Sequence, residues 1–524
     1  MINVWWFSRP KRRVTEVPSI IASVMSEAVG QEWSGNRKAH LAIEEALEHE
    51  GLKRVGDRRD QSGSGARTYN AWLRSYGFTF EYNGKQEFTL IAEDIMNGAD
   101  PVAIMRTQVL KYQFPSYFSL NSKSRVTDRF KIRPYRFILR LLLDPALQGY
   151  ITEKEIGYIV IGEAENETES CYRKVVNHIL DYRDRGMASI PSLDEMNRIY
   201  RDGEQGKITY YTDIANTMIN VFEYTQLVIR KPISEKESGL MIVPEAMEYI
   251  QKAMASNPPF IDRPEDGAYF QRKFGVGPNH QKDTRNLNDT HSVTPKMVME
   301  SQIQRSFIKL SMNEPIFNIS SDVIDTIIAD THGVYSYNQV EDVVRRKYPG
   351  GMMNGFYSNY YQMAFMGQQK ATEFEKATAS LFDKVFGFQT KHIGQGGSES
   401  VPDVILSTDT EGYQAIIDTK AYSAYNFPGD HILRMAHRYI PNINEYSFSK
   451  YPLLAYCYIS GGFSKKAEEK LREITSESNA KTPGSAFTVQ TIIKLAEKQL
   501  AEPVSHASWR NLLTSGKVFS PDMV

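Results

Sequence analysis

Cysteine is nearly absent: the 524 residues hold two, Cys171 and Cys457, far apart in the chain. So few exclude a disulfide framework and a cysteine-built zinc site. The expectation is two reduced core thiols in a cytoplasmic protein. Long apolar runs are missing too, since none reaches the roughly 18 residues a membrane span needs. The opening MINVWWFSRPKRR sets aromatics ahead of its basic cluster and has no apolar stretch of signal-peptide length, so no secretory signal is expected. Net charge is also lacking: 62 Lys and Arg against 63 Asp and Glu leave −1, which argues against a uniformly basic nucleic-acid coat. Gly394-Gln395-Gly396-Gly397 is not followed by the Lys-Ser/Thr of a phosphate-binding loop, so no nucleotide is implied. His431 and His437 stand six apart rather than the four of a helical zinc pair. With 41% hydrophobic and 24% charged residues, no long segment defaults to disorder. The length exceeds one compact core and demands several domains.

The balanced charge is unevenly spread. From Arg106 to Arg140 there are nine Lys or Arg and one acid, Asp128, interleaved with Tyr112, Phe114, Tyr117, Phe118, Phe130, Tyr135 and Phe137. A local basic stripe is the electrostatic footprint of a nucleic-acid partner, while the aromatics from 112 to 118 are expected in a core. Residues 75–98 read as strand, Asn83-Gly84 turn, strand and short helix. Residues 223–251 repeat that order with a longer, charged loop. Helical stretches precede both hairpins, at 68–73 and 213–224, which is the order of winged-helix units. Further helices are expected at 135–143, at 151–161 (opened by Thr152-Glu153-Lys154-Glu155 as a cap), at 295–312 and at 320–330. The Pro/Gly/Asn/Asp-rich 257–293 is too long for a turn. GGMMNGFYSNYY reads as a loop, and a boundary is placed near 365.

The chemistry concentrates after Ala371. Phe374, Thr378, Leu381, Phe382 and Val385 recur at helical spacing up to Gly387, with Glu375 near the apolar face. Lys391-His392-Ile393-Gly394 forms a short edge, with His392 expected as a structural residue. Pro402-Asp403 opens a strand, and Ala415-Ile416-Ile417 runs into Asp418-Thr419-Lys420. Period-two alternation puts Gln414, Ile416, Asp418 and Lys420 on one face, so Asp403, Asp418 and Lys420 can converge at one end of adjacent strands. Burying such charges is costly unless they are used. Two carboxylates and a peptide carbonyl, that of Thr419, are the hard oxygen ligands Mg²⁺ prefers, and Lys420 can orient a water and stabilise developing charge. Helix with Glu, strand with Pro-Asp, apolar strand ending in Asp-Thr-Lys: this order suits metal-dependent phosphodiester hydrolysis. The alternative is a surface hairpin with solvated charges. The Lys465–Glu473 stretch is expected as an exposed amphipathic helix with Glu468 and Arg472 paired.

The run KVFGFQTKHIGQGG, PDVIL, AIIDTKAYSAYNFP and a following helix with Arg438-Tyr439 resembles the cleavage domain of the FokI-type Type IIS restriction endonucleases, in the PD-(D/E)xK superfamily. The likeness covers 371–485. It implies that Asp403 and Asp418 are metal-binding acids, Lys420 the catalytic lysine and Glu375 an accessory catalytic acid. It also implies that the helix from Asp430 to Asn444 occupies the position where that family dimerises. Looser stretches over 1–250, NVWWFSRPKR, EWSGNRKAHLA, RTYNAWLRSYGF, VLKYQFPS and the Arg-Pro-Tyr-Arg-Phe helix, resemble AlwI-like restriction and nicking endonucleases. That likeness implies DNA recognition apart from cleavage.

The expected architecture is α/β multidomain. A mainly helical, winged-helix-like recognition region precedes a PD-(D/E)xK restriction-endonuclease-like α/β domain with a central mixed sheet. The expected divisions are 1–145 and 146–255 as two recognition subdomains, 256–365 as a helical connector, and 366–524 as the nuclease. The expected function is Mg²⁺-dependent cleavage of double-stranded DNA at a fixed distance outside a short asymmetric site. A strand-specific nickase or a non-cleaving DNA-binding regulator fits the same architecture. Candidate DNA contacts are Arg12 and Arg13 in a basic arm (solvated tail, or phosphate or minor-groove contact), Arg67 and Arg74 beside the first hairpin, and Lys111 and Arg133 in the basic stripe. Other expectations are a transient homodimer on DNA, no membrane, a cognate methyltransferase acting on the same site without binding, and a prokaryotic cytoplasm.

Overall fold

Asn83 and Gly84 both adopt positive φ, 49° and 77°, the left-handed pair that a two-residue hairpin demands. They join β1 (Thr79–Tyr82) to β2 (Lys85–Phe88), which run antiparallel with Thr79 opposite Phe88. The helix Ser64–Ser75 precedes this hairpin and Leu90–Met96 follows it. A computed structural model provides these coordinates and describes residues 1–10, 14–56, 61–121, 125–235, 237–289, 293–394 and 401–524. They form two compact units, Met1–Lys309 with Ile319–Pro349, and Leu310–Asn318 with Gly350–Val524.

The first unit is mainly helical. Its aromatic core joins Trp72, Tyr76, Tyr112, Phe114 and Tyr135, all buried, and the Tyr76 and Tyr135 hydroxyls lie 2.6 Å apart. The aromatics of the basic stripe are thus largely core, as expected, with Tyr117 only half-buried. A second sheet contains β3 (Tyr150–Thr152), β4 (Val228–Pro232) and β5 (Ser238–Ile242), antiparallel in the order β3-β5-β4. The helix Thr209–Tyr224 precedes its hairpin. The helix expected from 151 therefore starts later. Ile151 is drawn into pairing with Leu240, and Thr152 becomes the cap, its hydroxyl accepting from the Glu155 N–H while Glu155 accepts from the Thr152 N–H. The 257–293 segment is not wholly irregular either: Asp266 caps a helix Gly267–Phe274, whose Gln271 donates to the carbonyls of Arg74 and Thr79. The helices Pro295–Asn313 and Ser321–Asp330 lie where the periodicity puts them.

The second unit is built on a mixed six-stranded sheet. Its strands are β6 (Gln389–His392), β7 (Val404–Thr408), β8 (Tyr413–Lys420), β9 (Leu453–Ser460), β10 (Gly484–Thr488) and β11 (Val518–Phe519), ordered β11-β10-β9-β8-β7-β6. β6, β7 and β8 pair antiparallel, and β8 to β11 pair parallel. Alternation splits the core into two layers. Val404, Leu406, Ala415 and Ile417 pack with the helices Ala371–Lys384, Val489–Ala501 and His506–Leu513. Ile405, Ile416, Tyr456 and Tyr458 pack beneath Gly429–Arg434, its π-helical continuation Met435–Tyr439, and Ala467–Glu477. β8 is therefore covered on both faces, and each buried isoleucine contributes about 1.5–3 kcal/mol.

GGMMNGFYSNYY is a helix rather than a loop over most of its length, Met353–Met363, with Phe356, Tyr357, Tyr360 and Tyr361 buried. Aromatic burial overrides the weak helix propensity of its glycine, asparagines and tyrosines. Leu310–Asn318 belongs to this unit through close bonds. Glu314 accepts from Ser380 at 2.5 Å and pairs with Lys384 at 2.9 Å, and Asn359 donates to the Met312 carbonyl. Cys457 is buried in β9, whereas Cys171 stands half-exposed on the helix Glu169–Arg185 and is not a core thiol; both are free. Among the described residues, no helix is long and apolar enough to cross a membrane.

Candidate active site

Asp418 and Asp403 meet because β7 and β8 are antiparallel. Val404 lies opposite Ile417, so the next residue outward on each strand is an aspartate. Both side chains leave on the face that carries Ile405 and Ile416. Asp403 Oδ2 accepts from the Thr419 N–H at 2.6 Å and from the Thr419 hydroxyl at 2.9 Å. Lys420 Nζ lies 2.8 Å from Asp418 Oδ2. Asp418 is buried, while Asp403 and Lys420 are half-buried.

Electrostatics record this crowding. Burial, then the neighbouring Asp418 carboxylate, pushes Asp403 well above the usual carboxylate range; Glu375 adds to the rise, and Lys420 and the Thr419 N–H oppose it. Burial works against the Lys420 ammonium, but Asp418 and Asp403 outweigh it and lift the group to about 12.

Glu375 reaches the same neighbourhood from the helix Ala371–Lys384. Its Oε2 lies 2.9 Å from His392 Nε2 on β6, and a side chain at Gly394 would overlap its carboxylate. The Ile393 N–H donates to the Asp403 carbonyl at 2.8 Å, tying the β6 edge to the strand that carries Asp403. Glu375, Asp403, Asp418, Thr419 and Lys420 are thus brought together, and His392 is a direct partner of Glu375.

Sequence reading passed over a group of tyrosines on this face. Tyr458 stands opposite Asp418 in the β8–β9 register, fully buried, with its hydroxyl unpartnered among the described residues. Tyr439 is raised to about 12 by burial and then by Asp418. Tyr425 Oη lies 2.7 Å from His431 Nδ1, and burial followed by Asp418 raises Tyr425 as well. The signal was the alternation of Tyr456 and Tyr458 along β9, which shares a face with Asp418.

The candidate DNA contacts among the described residues each have partners within the chain. Arg12 and Arg13 lie outside the described residues. Lys111 and Arg133 have internal duties instead of facing a ligand. Lys111 Nζ donates to the carbonyls of Phe274 at 2.6 Å and Val276 at 2.8 Å. Arg133, 4% exposed at its side chain, forks onto Glu167 and donates to the Pro258 carbonyl and Asn257. Arg74 is paired to Glu81 at 2.6 Å, and Arg67 donates to the carbonyl and hydroxyl of Ser62. Spacing cannot distinguish a guanidinium aimed at solvent from one consumed by a neighbouring acid.

A family model described as "FokI, cleavage domain" matches residues 335–520. Solved structures overlap the chain weakly. One is a restriction endonuclease FokI, 13% identical, covering 99% of this chain and 100% of the other at a TM-score of 0.29. The same enzyme bound to DNA gives 13% identity and the same coverage at 0.28. The BpuJ1 endonuclease binding domain, in complex with modified DNA, gives 13% identity over 56% of this chain and 91% of that one at 0.35. Overlaps this slight carry no argument. A comparison with curated proteins finds no match.

Proposed function

We propose, from the match of residues 335–520 to the model of the FokI cleavage domain, that the protein is a Type IIS restriction endonuclease that binds a short asymmetric site in double-stranded DNA and cuts at a fixed distance outside it. The observation that carries this reading is the pairing of Asp403 and Asp418 at one end of β7 and β8, with Lys420 2.8 Å from Asp418. On this reading the second unit is a PD-(D/E)xK nuclease, with Asp403, Asp418 and Lys420 as its motif and Glu375 as an accessory acid.

The donor set suits Mg²⁺. Asp403, Asp418 and the Thr419 carbonyl would hold it, and the crowding that raises Asp403 would be relieved by a divalent cation on these acids. When bound, Mg²⁺ supplies Lewis-acid polarisation of a scissile phosphate oxygen and acidifies an attacking water. Lys420, held protonated at neutral pH by its two acids, serves as a positive charge that orients the water and stabilises developing negative charge. The Thr419 N–H and hydroxyl fix the Asp403 rotamer. His392 holds Glu375 toward the same space.

The first unit is assigned to recognition. Its two helix-and-hairpin modules, around β1–β2 and β4–β5, serve as winged-helix-like readers over 1–145 and 146–255. The nuclease is taken as the second unit, Leu310–Asn318 with Gly350–Val524, with the rest of the 256–365 stretch as connector. The helical stretch from Asp430 to Asn444 supplies the surface for a transient homodimer on DNA. The setting is a prokaryotic cytoplasm, with a cognate methyltransferase protecting the same site.

The test is plasmid DNA incubated with and without Mg²⁺, followed by run-off sequencing of both strands. Discrete Mg²⁺-dependent cuts on both strands support the reading. Cuts confined to one strand replace it with a nickase, and specific binding without cleavage replaces it with a regulator.

A further inference from the structure

We infer that the first unit holds a second divalent-cation site, where His49, Glu50 and Asp330 supply one imidazole nitrogen and two carboxylate oxygens to a first-row metal such as zinc. The inference is independent of the nuclease reading. These three residues present ligand atoms within 4.8 Å of one another, and His49 and Asp330 line a cavity of about 420 Å³ together with His332, Glu27 and Glu45.

Three observations point to a cation there. The first is Glu50. Its side chain is 1% exposed, its Oε1 lies 3.1 Å from His49 Nδ1, and its Oε2 is buried with no hydrogen-bond partner among the described residues. Leaving a buried carboxylate oxygen unsatisfied is costly, and a metal bond is one way to remove that cost. The second is placement. His49 ends the helix Arg37–His49, Glu50 is its C-cap, and Asp330 ends Ser321–Asp330. Both helices direct the negative ends of their dipoles at the cluster, where acids are unfavourable and cations favoured.

The third is charge. Glu27, Glu45, Glu50 and Asp330 lie around or beside the cavity. Arg305 pairs with Glu27 at 2.7 Å and lies 3.5 Å from Glu50, and Lys309 pairs with Asp330 at 2.8 Å. Glu27, Glu50 and Asp330 share those two cations, which leaves the cluster acidic. His332, in a left-handed conformation at φ 54°, sets its ring 6.1 Å from that of His49 across the cavity. Mixed nitrogen and carboxylate ligation suits zinc or manganese better than magnesium or calcium. Such an ion would tie the C-terminal ends of two helices that the sequence separates widely.

The experiment uses the full chain with Asp403→Asn and Asp418→Asn together, which removes the nuclease acids. This protein is stripped with chelator, loaded with Zn²⁺ alone, desalted and assayed for metal content, with affinity measured by competition against a chromophoric chelator. One zinc per chain is expected, with affinity at least about tenfold weaker after His49→Gln or Asp330→Asn, as for losing one ligand, and a zinc-dependent rise in melting temperature that both variants lose. Glu50→Gln, nearly isosteric, carries the test if either of those fails to fold. Absence of saturable zinc, or zinc held equally by the folded His49→Gln, Asp330→Asn and Glu50→Gln proteins, overturns the inference.

Discussion

Asp403 Oδ2 accepts two hydrogen bonds from one residue, Thr419, at 2.6 Å from the amide and 2.9 Å from the hydroxyl. The residue between the two catalytic candidates of β8 therefore clamps the acid of the neighbouring strand. Thr419→Val removes the hydroxyl bond and keeps the shape. Cleavage is expected to fall about tenfold or more, as for loss of a residue orienting a metal ligand. The check is steady-state cutting against Mg²⁺ concentration, where the loss is expected to shrink as Mg²⁺ rises.

Asp418→Ala is expected to abolish cutting while DNA affinity stays within about a few fold, since phosphate and base contacts carry affinity. Gel-shift titration beside a cleavage assay separates the two. Loss of binding in step with cleavage would make Asp418 a structural residue.

The raised pKa of Asp403 carries a stability consequence. Its folded pKa lies above its unfolded value, so the folded state binds the extra proton, and stability falls as pH rises through and beyond the ordinary carboxylate range. Without divalent ions, Asp403→Asn is therefore expected to melt about 2–4 °C higher at neutral pH, the shift expected for about 1 kcal/mol in a unit of this size. The gap should close at acid pH and on adding Mg²⁺ to the wild type. Differential scanning calorimetry in chelator reads it directly.

Glu375 and His392 act as a pair, 2.9 Å apart. Glu375→Gln and His392→Gln are each expected to slow cleavage about 10- to 100-fold, and the double variant to be little worse than either. Additive losses would mean that His392 has a separate duty.

Lys111 and Arg133 test the first unit. Burial lowers the Lys111 ammonium to about 7, while the unfolded chain keeps that proton to about 10.4. The unfolded state thus binds more protons between these values, and stability rises with pH across that window. Lys111→Met should flatten the rise in urea midpoint between about pH 7 and pH 10. Arg133→Ala removes its bonds to Glu167, Asn257 and the Pro258 carbonyl and is expected to destabilise by about 1–3 kcal/mol, with the salt dependence of DNA binding unchanged.

Strand β8 was legible because its signal is local. Ala415-Ile416-Ile417 announces a doubly buried strand, and period two then determines where Asp418 and Lys420 leave it. The Asn83-Gly84 hairpin was legible for the same reason. Met353–Met363 was not, because glycine, asparagine and tyrosine argue for a loop until Phe356 and Tyr360 find a core. Nor was the fate of Arg133, whose acid lies 34 residues on, or of Lys111, whose carbonyl partners lie 163 and 165 residues on. The tyrosines around Asp418 escaped notice because Tyr425, Tyr439 and Tyr458 converge only through the sheet and its covering helix.

The path of the chain bears on transplantation. It enters the second unit at Leu310, leaves after Asn318, and returns only at Gly350. A nuclease excised at one peptide bond near 350, for grafting onto a different DNA reader, would forfeit Met312, Glu314 and Ile316. With them go the bonds they make to Asn359, Ser380, Lys384 and Met352. Such a graft needs its seam upstream of Leu310, and must carry the helices of residues 319–349 along as passengers.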